Sequence, residues 1–269
     1  GQPLEATRVE LATVTIGPVT IQPDGVVVVQ AETPAGAYEV GYRICEVLNT
    51  DNCDDAVVVI RILSATIDAV DDSANVPQNT AALVPVTAND QFDGQPVEPA
   101  AAAVSILSAP AYGVAAIDSE KRVVYTPTAN FSGIDTFRYE LCEGINPDNC
   151  AAAVVTVTVA ANQIAAVDDG AETDAATAIT IAVLANDTTL SAPLDPASLE
   201  VVSPPDRGSA SCINGVCSYL PDPGRASAGD DTFIYQICDV SIPNSVCGTA
   251  VVTIAIAAGD AVLRVSKQA

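Results

Sequence analysis

The sequence predicts an all-β protein built from tandem β-sandwiches, and three observations support this prediction. A unit of about 97 residues recurs, since Ala-Val-Asp-Asp stands at 69–72 and again at 166–169. A repeat of this length is a small domain rather than one turn of a solenoid. Short apolar runs alternate with 18 prolines and 16 glycines, as is typical of many short strands. Tyr-x-x-Cys followed by an acidic residue occurs three times, opening at Tyr42, Tyr139 and Tyr235.

The first unit is predicted to be incomplete. Alignment of Cys45 with Cys142 places the counterpart of Asp71 about 26 residues before Gly1, so the opening strands of the unit are missing. A sandwich without those strands would expose an apolar groove and an unpaired sheet edge. Its remaining strands are predicted at 13–16, 19–21, 26–29, 38–45 and 56–63.

The second unit shows the full strand pattern. Asn and Asp side chains at 88–94 and 130–136 can bond their own backbone, which predicts ordered loops. About seven strands, with a turn about every 8–12 residues, are typical of an Ig-like sandwich with antiparallel Greek-key topology. The clearest strands are predicted at 82–87, 104–107, 113–117, 123–127, 137–142 and 153–159.

The third unit repeats this plan, with strands predicted at 179–184, 231–238 and 250–256. It adds a short hairpin in which Asn214-Gly215 predicts a two-residue type I′ turn. Counting outward places Cys212 opposite Cys217 as a non-hydrogen-bonded pair, whose close Cα approach suits a disulfide. We therefore predict domains at 1–66, 67–161 and 162–258, arranged as an elongated rod, and a strand or tail at 259–269.

Taken together, the motifs of the second unit resemble a known family. Tyr125-Thr-Pro, Phe131-Ser-Gly-x-Asp and Phe137-x-Tyr139 follow the pair Asp71-Asp72 in a fixed order. This set is similar to the tandem bacterial Ig-like, or cadherin-like, repeat of large surface adhesins and other secreted bacterial proteins. The resemblance covers nearly all of 67–258, and it implies a stalk or an adhesive module.

Eight cysteines fall in four close pairs, which predicts four hairpin disulfides. Zinc sites favour shorter spacings between cysteines, and the spacings here are mostly longer. A redox role is not favoured, because the residues that follow the cysteines include Glu46, Glu143 and Asp239. Disulfides indicate a location outside the cytoplasm. The predicted pairs are Cys45 with Cys53, Cys142 with Cys150, Cys212 with Cys217, and Cys238 with Cys247.

Composition excludes several classes of function. A net charge of −24 argues against nucleic acid or an anionic lipid surface as a partner. No apolar run approaches the roughly 18 residues of a membrane-spanning helix, so no membrane insertion is predicted. Histidine is absent, which removes histidine bases, Ser-His nucleophiles and histidine metal sites. We therefore expect no enzymatic activity.

Acidic clusters near the unit boundaries form the candidate metal site. In cadherin-like chains, carboxylates from a linker and neighbouring loops converge on calcium, which takes about six to eight oxygen ligands. The same residue types serve equally well as turn formers and strand caps, so an ion is one of two interpretations. The candidate calcium ligands are Asp68, Asp71, Asp72, Asn89, Asp90, Asp93, Asp168, Asp169, Asn186 and Asp187.

The segment 261–267 is predicted to be a β-strand that follows the end of the third unit and belongs to none of the three. Val262, Leu263 and Val265 are apolar and alternate in part with polar residues, at the place where a further repeat would begin. We expect this strand to complete the first domain of a neighbouring copy, which gives a head-to-tail filament subunit on a bacterial surface. The alternative is a fragment of a large adhesin that acts as a stalk or as a module binding other cells or surface glycans.

Overall fold

The computed structural model describes residues 9–223 and 228–257, and its regular structure is almost entirely β-strand. The strands group into three sets of sheets, which we call the first, second and third sandwich (β1–β6, β7–β16 and β17–β25). This confirms the predicted all-β fold with tandem Ig-like sandwiches, whereas the rod-like arrangement stays a prediction. The segment 261–267, with Val262, Leu263 and Val265, lies outside the described residues.

The first sandwich consists of two three-stranded sheets. Its strands are β1 (Val9–Leu11), β2 (Val14–Ile16), β3 (Val19–Ile21), β4 (Val27–Val29), β5 (Gly36–Glu46) and β6 (Asn49–Ile62). One sheet has the order β1-β5-β6 and the other has the order β2-β3-β4. Only Val19, Ile21 and Val40 form its buried apolar core among the described residues.

The second sandwich is complete. A four-stranded sheet, β12-β15-β16-β8, packs against a three-stranded sheet, β13-β14-β9. In a small sheet, β11-β10-β7, the first strand of this sandwich pairs with the loop that contains β10 and β11. The strands are β7 (Ile67–Asp68), β8 (Asp72–Val76), β9 (Ala82–Val84), β10 (Gln91–Phe92), β11 (Gln95–Pro96), β12 (Ala102–Ser108), β13 (Gly113–Ile117), β14 (Val123–Pro127), β15 (Gly133–Glu143) and β16 (Asn146–Val159), with a 3-10 turn at Pro99–Ala101.

The third sandwich follows the same plan. Its sheets have the orders β18-β25-β24-β21 and β19-β23-β22, with a short pair β17-β20. The turn residues Asn214 and Gly215 have φ angles of 48° and 89°, which confirms the predicted type I′ hairpin. The strands are β17 (Ile164–Ala165), β18 (Asp169–Asp174), β19 (Ile179–Ile181), β20 (Thr188–Thr189), β21 (Leu194–Ser203), β22 (Gly208–Ile213), β23 (Val216–Pro221), β24 (Gly229–Asp239) and β25 (Cys247–Ala257).

One pairing in each complete sandwich departs from the predicted antiparallel topology. The opening strand β8 runs parallel to β16, and β18 runs parallel to β25. A parallel pair needs a long crossover connection, and here the rest of the sandwich is that connection. Local alternation predicts that a strand exists but carries no information about its direction relative to a distant strand.

All eight cysteines form the four predicted hairpin disulfides, and the Cα atoms of each pair are 4.0 or 4.1 Å apart. Each disulfide joins two neighbouring strands close to their turn. In the chain-entropy model, closing such a short loop stabilises the fold by about 2–3 kcal/mol. The clamps therefore hold the hairpin tips in fixed positions on small, aromatic-poor cores.

A buried aspartate also fixes the loops of each complete sandwich. Asp135 is buried, and its carboxylate accepts hydrogen bonds from the backbone N–H groups of Ala111 and Tyr112, each at 2.9 Å. The hydroxyl of Tyr125 donates to the same carboxylate at 2.9 Å. In the third sandwich, Asp231 binds Tyr219 and two loop amides in the same way.

The first sandwich has an open face. Val26 and Val28 are 50% and 41% exposed, whereas Val123 and Tyr125, which align with them 97 positions later, are fully buried. In the second sandwich β9 pairs with β14 and β8 pairs with β16. Among the described residues, no strand occupies these two places beside β4 and β6. Apolar surface that forms a core in one unit thus faces outward in another.

Substitution of Asp135 by alanine tests the role of the buried carboxylate. The change leaves two loop amides and the Tyr125 hydroxyl without their acceptor, so we expect the free energy of unfolding to fall by about 3 kcal/mol. Chemical denaturation monitored by circular dichroism measures this. The exposed hairpin residue Asp148, substituted in the same way, is the control and should change stability little. Equal stability of the two variants would contradict the assigned role.

Candidate functional site

The predicted acidic cluster of the second sandwich contains a buried carboxylate, that of Asp90, which is 1% exposed. The Tyr139 hydroxyl lies 2.8 Å from its Oδ2 and 2.9 Å from the backbone oxygen of Val86. The backbone N–H of Val70 donates to Oδ1 at 2.7 Å. Asp90 therefore connects the backbone at Val70, near the start of the sandwich, to the buried side chain of Tyr139.

Asp72 lies beside Asp90 and has a different environment. Its Oδ2 atom is buried and has no hydrogen-bond partner. Burial, together with the charge of Asp90, raises the pKa of Asp72 to about 7, and burial also raises the pKa of Asp90. Burial and the neighbouring negative charge therefore favour the protonated form of Asp72 near neutral pH.

The third sandwich repeats the arrangement. Asp187 accepts the backbone N–H of Val167 at 2.8 Å and the Tyr235 hydroxyl at 2.9 Å. Asp169 again has a buried Oδ2 atom without a partner, and burial and the charge of Asp187 raise its pKa. The recurrence in two units indicates that the carboxylate pair is part of the plan of the complete sandwich.

The remaining candidate ligands serve the backbone. Asp71 accepts the N–H of Val154, and Asp168 accepts the N–H of Val251, each at 2.8 Å. Asp93 accepts the N–H of Thr66 at 2.7 Å. Asn89 donates to the backbone carbonyl of Asp71, and Asn186 donates to that of Asp168. Asp68 belongs to β7.

Calcium requires about six to eight oxygen ligands. Five of the eight candidate aspartates already use one carboxylate oxygen to accept a backbone N–H group. In the described part of the chain, three acidic or sulfur ligand atoms come within 4.8 Å of one another only at Glu140, Cys142 and Cys150, and both sulfurs are in a disulfide. Turn chemistry accounts for the contacts seen, and calcium binding stays a prediction.

The sequence placed the acidic clusters at the junctions between units, but other residues make the junction contacts. Between the second and third sandwiches, the Ser132 N–H donates to the Ile242 carbonyl and the Ile242 N–H donates to the Asn130 carbonyl, each at 2.9 Å. The buried side chain of Gln78 donates to Ser241 at 3.0 Å and accepts from Ser191 at 2.6 Å. The third sandwich thus meets the second through the hairpin clamped by its last disulfide.

A buried carboxylate organises this hairpin. Asp239 follows Cys238 and accepts hydrogen bonds from Asn162 at 2.6 Å, from the Ser241 hydroxyl at 2.7 Å and from the Val246 N–H at 2.8 Å. Asn162 belongs to the linker between the two sandwiches. Asp239, Asn162 and Ser241 are all nearly inaccessible to solvent, so this polar network is internal to the joint.

The joint between the first and second sandwiches uses the equivalent hairpin, clamped by Cys142 and Cys150. The Ala35 N–H donates to Oδ1 of Asn146 at 2.7 Å, and the linker residue Ala65 donates its N–H to Glu143 at 3.1 Å. Asn149 donates to the Ala65 carbonyl at 2.8 Å. The sequence analysis used Glu143 only as an argument against a redox role and assigned no role to Asn146 or Asn149, although acidic and amide side chains beside each disulfide were visible.

Comparisons with known proteins agree with this architecture. A family model described as bacterial Ig domain matches residues 64–158 and 161–255. No curated protein matches the sequence. No helix among the described residues is long and apolar enough to cross a membrane.

Similar solved structures include multidomain proteins with low identity to this chain. The human desmocollin-1 ectodomain is 9% identical with a TM-score of 0.33, and the match covers 96% of this chain and 56% of that one. Domains 3–6 of protocadherin gamma B2 are 13% identical with a TM-score of 0.29, covering 93% and 67%. An endo-fucoidan hydrolase of glycoside hydrolase family 107 is 15% identical with a TM-score of 0.32, and this chain spans 39% of its length.

Substitution of Asp72 by asparagine tests the raised pKa of this carboxyl group. Because the pKa of Asp72 is raised on folding, its contribution is favourable at low pH and is lost as pH rises from about 4 through about 7. The asparagine variant should therefore have a higher Tm than the wild type at pH 8, and the difference should shrink towards pH 5. Thermal melts across this range measure it, with Asp148→Asn as the exposed control. A lower Tm for Asp72→Asn at pH 8 would overturn the assignment.

Calcium binding is tested by thermal melts with calcium and with a chelator. A bound ion stabilises the native state by RT ln(1 + [L]/Kd), so the calcium prediction requires a rise in Tm of several degrees. The double variant Asp72→Asn, Asp169→Asn should abolish that rise if the ion occupies these sites. Identical melts of the wild type in both conditions would leave turn chemistry as the whole explanation.

Proposed function

The chain belongs to the bacterial Ig-domain family, and from this we propose that it is an extracellular structural protein of a bacterial surface. Tandem domains of this family are typical of surface and adhesin-type proteins, and four disulfides indicate an oxidising location. The joints support a mechanical role, since each sandwich is fixed to the next by hydrogen bonds at a clamped hairpin.

We propose no catalytic role. Histidine is absent from the sequence. The buried carboxylates of Asp90, Asp135 and Asp231 each accept a tyrosine hydroxyl and backbone N–H groups, so they hold loops in place. A general acid or base needs a free face towards a substrate, which these groups lack.

The finer proposal is head-to-tail assembly, and the open face of the first sandwich carries it. The apolar residues Val26 and Val28 are exposed there, and the edges of β4 and β6 have no further strand among the described residues. We propose that residues 261–267 of another copy cover this face. In the second sandwich the strand at the equivalent edge, β8, runs parallel to β16, so the donated strand would run parallel to β6.

A fragment of a larger adhesin is the second candidate, and the uninterrupted tandem match at 64–158 and 161–255 favours it. In that case another part of a longer chain covers the open face. The protein would then act as a stalk or present surfaces to other cells or to surface glycans, with no self-association of its own.

Deletion of residues 260–269 distinguishes the two candidates. Head-to-tail assembly predicts that the full chain forms concentration-dependent polymers in sedimentation velocity and fibres in electron micrographs, and that the deletion variant is monomeric. A triple variant with Val262, Leu263 and Val265 changed to serine should behave like the deletion. Its control, with Arg264 and Lys267 changed to serine, should still assemble. A full chain that stays monomeric at high concentration would contradict assembly and leave the adhesin interpretation.

A further inference from the structure

We propose that the hairpin tip of the first sandwich, residues 46–52, is a docking surface for a second copy of this chain. The partner segment is the end of the third sandwich at Ala228-Gly229. The contact repeats the geometry of the two joints inside the chain, and it rests on the proposed head-to-tail assembly. It concerns a surface separate from the open face that the tail would cover.

The two internal joints are equivalent to each other. In one, the Ala35 N–H donates to Asn146 of the next sandwich; in the other, the Ser132 N–H donates to Ile242. Ala35 and Ser132 are 97 positions apart, and Asn146 and Ile242 are 96 positions apart, which are the offsets of the repeat itself. The linker residues Ala65 and Asn162 are likewise 97 apart, and each bonds the acidic residue that follows the first hairpin cysteine.

The tip of the first sandwich carries the same contact residues as the tip of the second. Cys-Glu-Val-Leu-Asn-Thr-Asp-Asn-Cys at 45–53 matches Cys-Glu-Gly-Ile-Asn-Pro-Asp-Asn-Cys at 142–150 in length and in every acidic and amide position. Both disulfides hold Cα atoms 4.1 Å apart. The tip of the first sandwich is therefore built like one that is known, from this structure, to dock on a sandwich.

The internal hydrogen bond of the tip is also already present. Asn52 donates to Glu46 at 3.2 Å, as Asn149 donates to Glu143 at 3.1 Å. This bond sets the side chains that bind the linker in the second sandwich. Asn49 corresponds to Asn146, whose Oδ1 atom accepts the Ala35 N–H across the joint.

The apolar residues of the tip lack a covering partner among the described residues. Leu48 is 95% exposed and Val47 is 45% exposed, whereas Ile145, at the position of Leu48 in the docked tip, is 40% exposed. Full exposure of a leucine side chain to water is unfavourable compared with its burial. Docking at this tip would remove apolar surface of Leu48 from water, which favours the contact.

The end of the third sandwich supplies the matching donor. Ala35-Gly36, Ser132-Gly133 and Ala228-Gly229 each place a small residue before the glycine that begins the long strand β5, β15 or β24. Gly133 and Gly229 have φ angles of 132° and 140°, so the backbone has a similar conformation at the start of β15 and at the start of β24. Ala228 is exposed. Its backbone N–H is thus the counterpart of the two N–H groups that already make joints, and the tip of a second copy offers it the same kind of acceptor.

Charge sets the conditions for this contact. The tip contains Glu46 and Asp51, and each copy carries a net charge of −24, so two copies repel each other at low ionic strength. Salt screens this repulsion over about 10 Å at 0.1 M. Association through the tip should therefore become stronger, not weaker, as salt increases.

The test compares self-association of full-length variants by sedimentation velocity in 0.02 M and 0.3 M sodium chloride. Leu48→Asp and Asn49→Ala should each weaken association by about tenfold or more, because one adds a charge to the contact and the other removes its acceptor. Ile213→Asp is the matched control, since Ile213 is 72% exposed on the hairpin clamped by Cys212 and Cys217, which makes no joint contact among the described residues. All three residues are exposed, and equal Tm values will confirm that the variants fold.

The outcomes separate this inference from the proposed assembly. Loss of association in the Leu48 and Asn49 variants, with Ile213→Asp unchanged, supports the docking surface. If these variants associate like the wild type while the 260–269 deletion is monomeric, the docking surface is wrong and assembly through the tail stands. If the full chain is monomeric in both salt concentrations, both proposals are wrong.

Discussion

A buried aspartate that binds a tyrosine hydroxyl is the interaction on which each complete sandwich depends. Asp90 with Tyr139 and Asp135 with Tyr125 do this in the second sandwich, and the third repeats both pairs, with Asp231 buried and Asp187 partly buried. A buried carboxylate is costly unless its hydrogen bonds are satisfied, and here loop N–H groups complete them. The carboxylate is satisfied only when the loops adopt the conformation that brings their N–H groups to it. The buried aspartates therefore fix the loop conformation, which an aromatic-poor core alone would not do.

Fixed loops are what allow the sandwiches to meet in a repeated way. Ser132 lies shortly before Asp135, whose carboxylate anchors the loop at Ala111 and Tyr112, and the docked hairpins are clamped by disulfides. The joint between the second and third sandwiches therefore brings together two segments that are already ordered, so little conformational entropy is lost on contact. This arrangement suits a protein whose function is to hold domains in place on a surface.

Local patterns predicted much of this fold, and long-range contacts account for what they missed. Alternation in 137–142 marked the inward residues of β15, and Asn214-Gly215 predicted both a turn and the disulfide beside it. The partner of Asp90 lies 49 residues away at Tyr139, and no periodicity links the two. The same holds for the parallel pairing of β8 with β16. The acidic residues were recognised as important, but their partners, and hence their role, depend on tertiary structure.

Clamped hairpins form fixed joints between the sandwiches, and backbone amide exchange in the full-length protein is the measurement that tests this. The N–H groups of Ala35 and Ser132 lie at loop ends, and each donates only across a joint in the structure. Fixed joints predict that both exchange with solvent much more slowly than unstructured amides, with protection approaching that of the adjacent strands. Exchange of these two amides at the rate of an open loop, while the strands stay protected, would contradict the account.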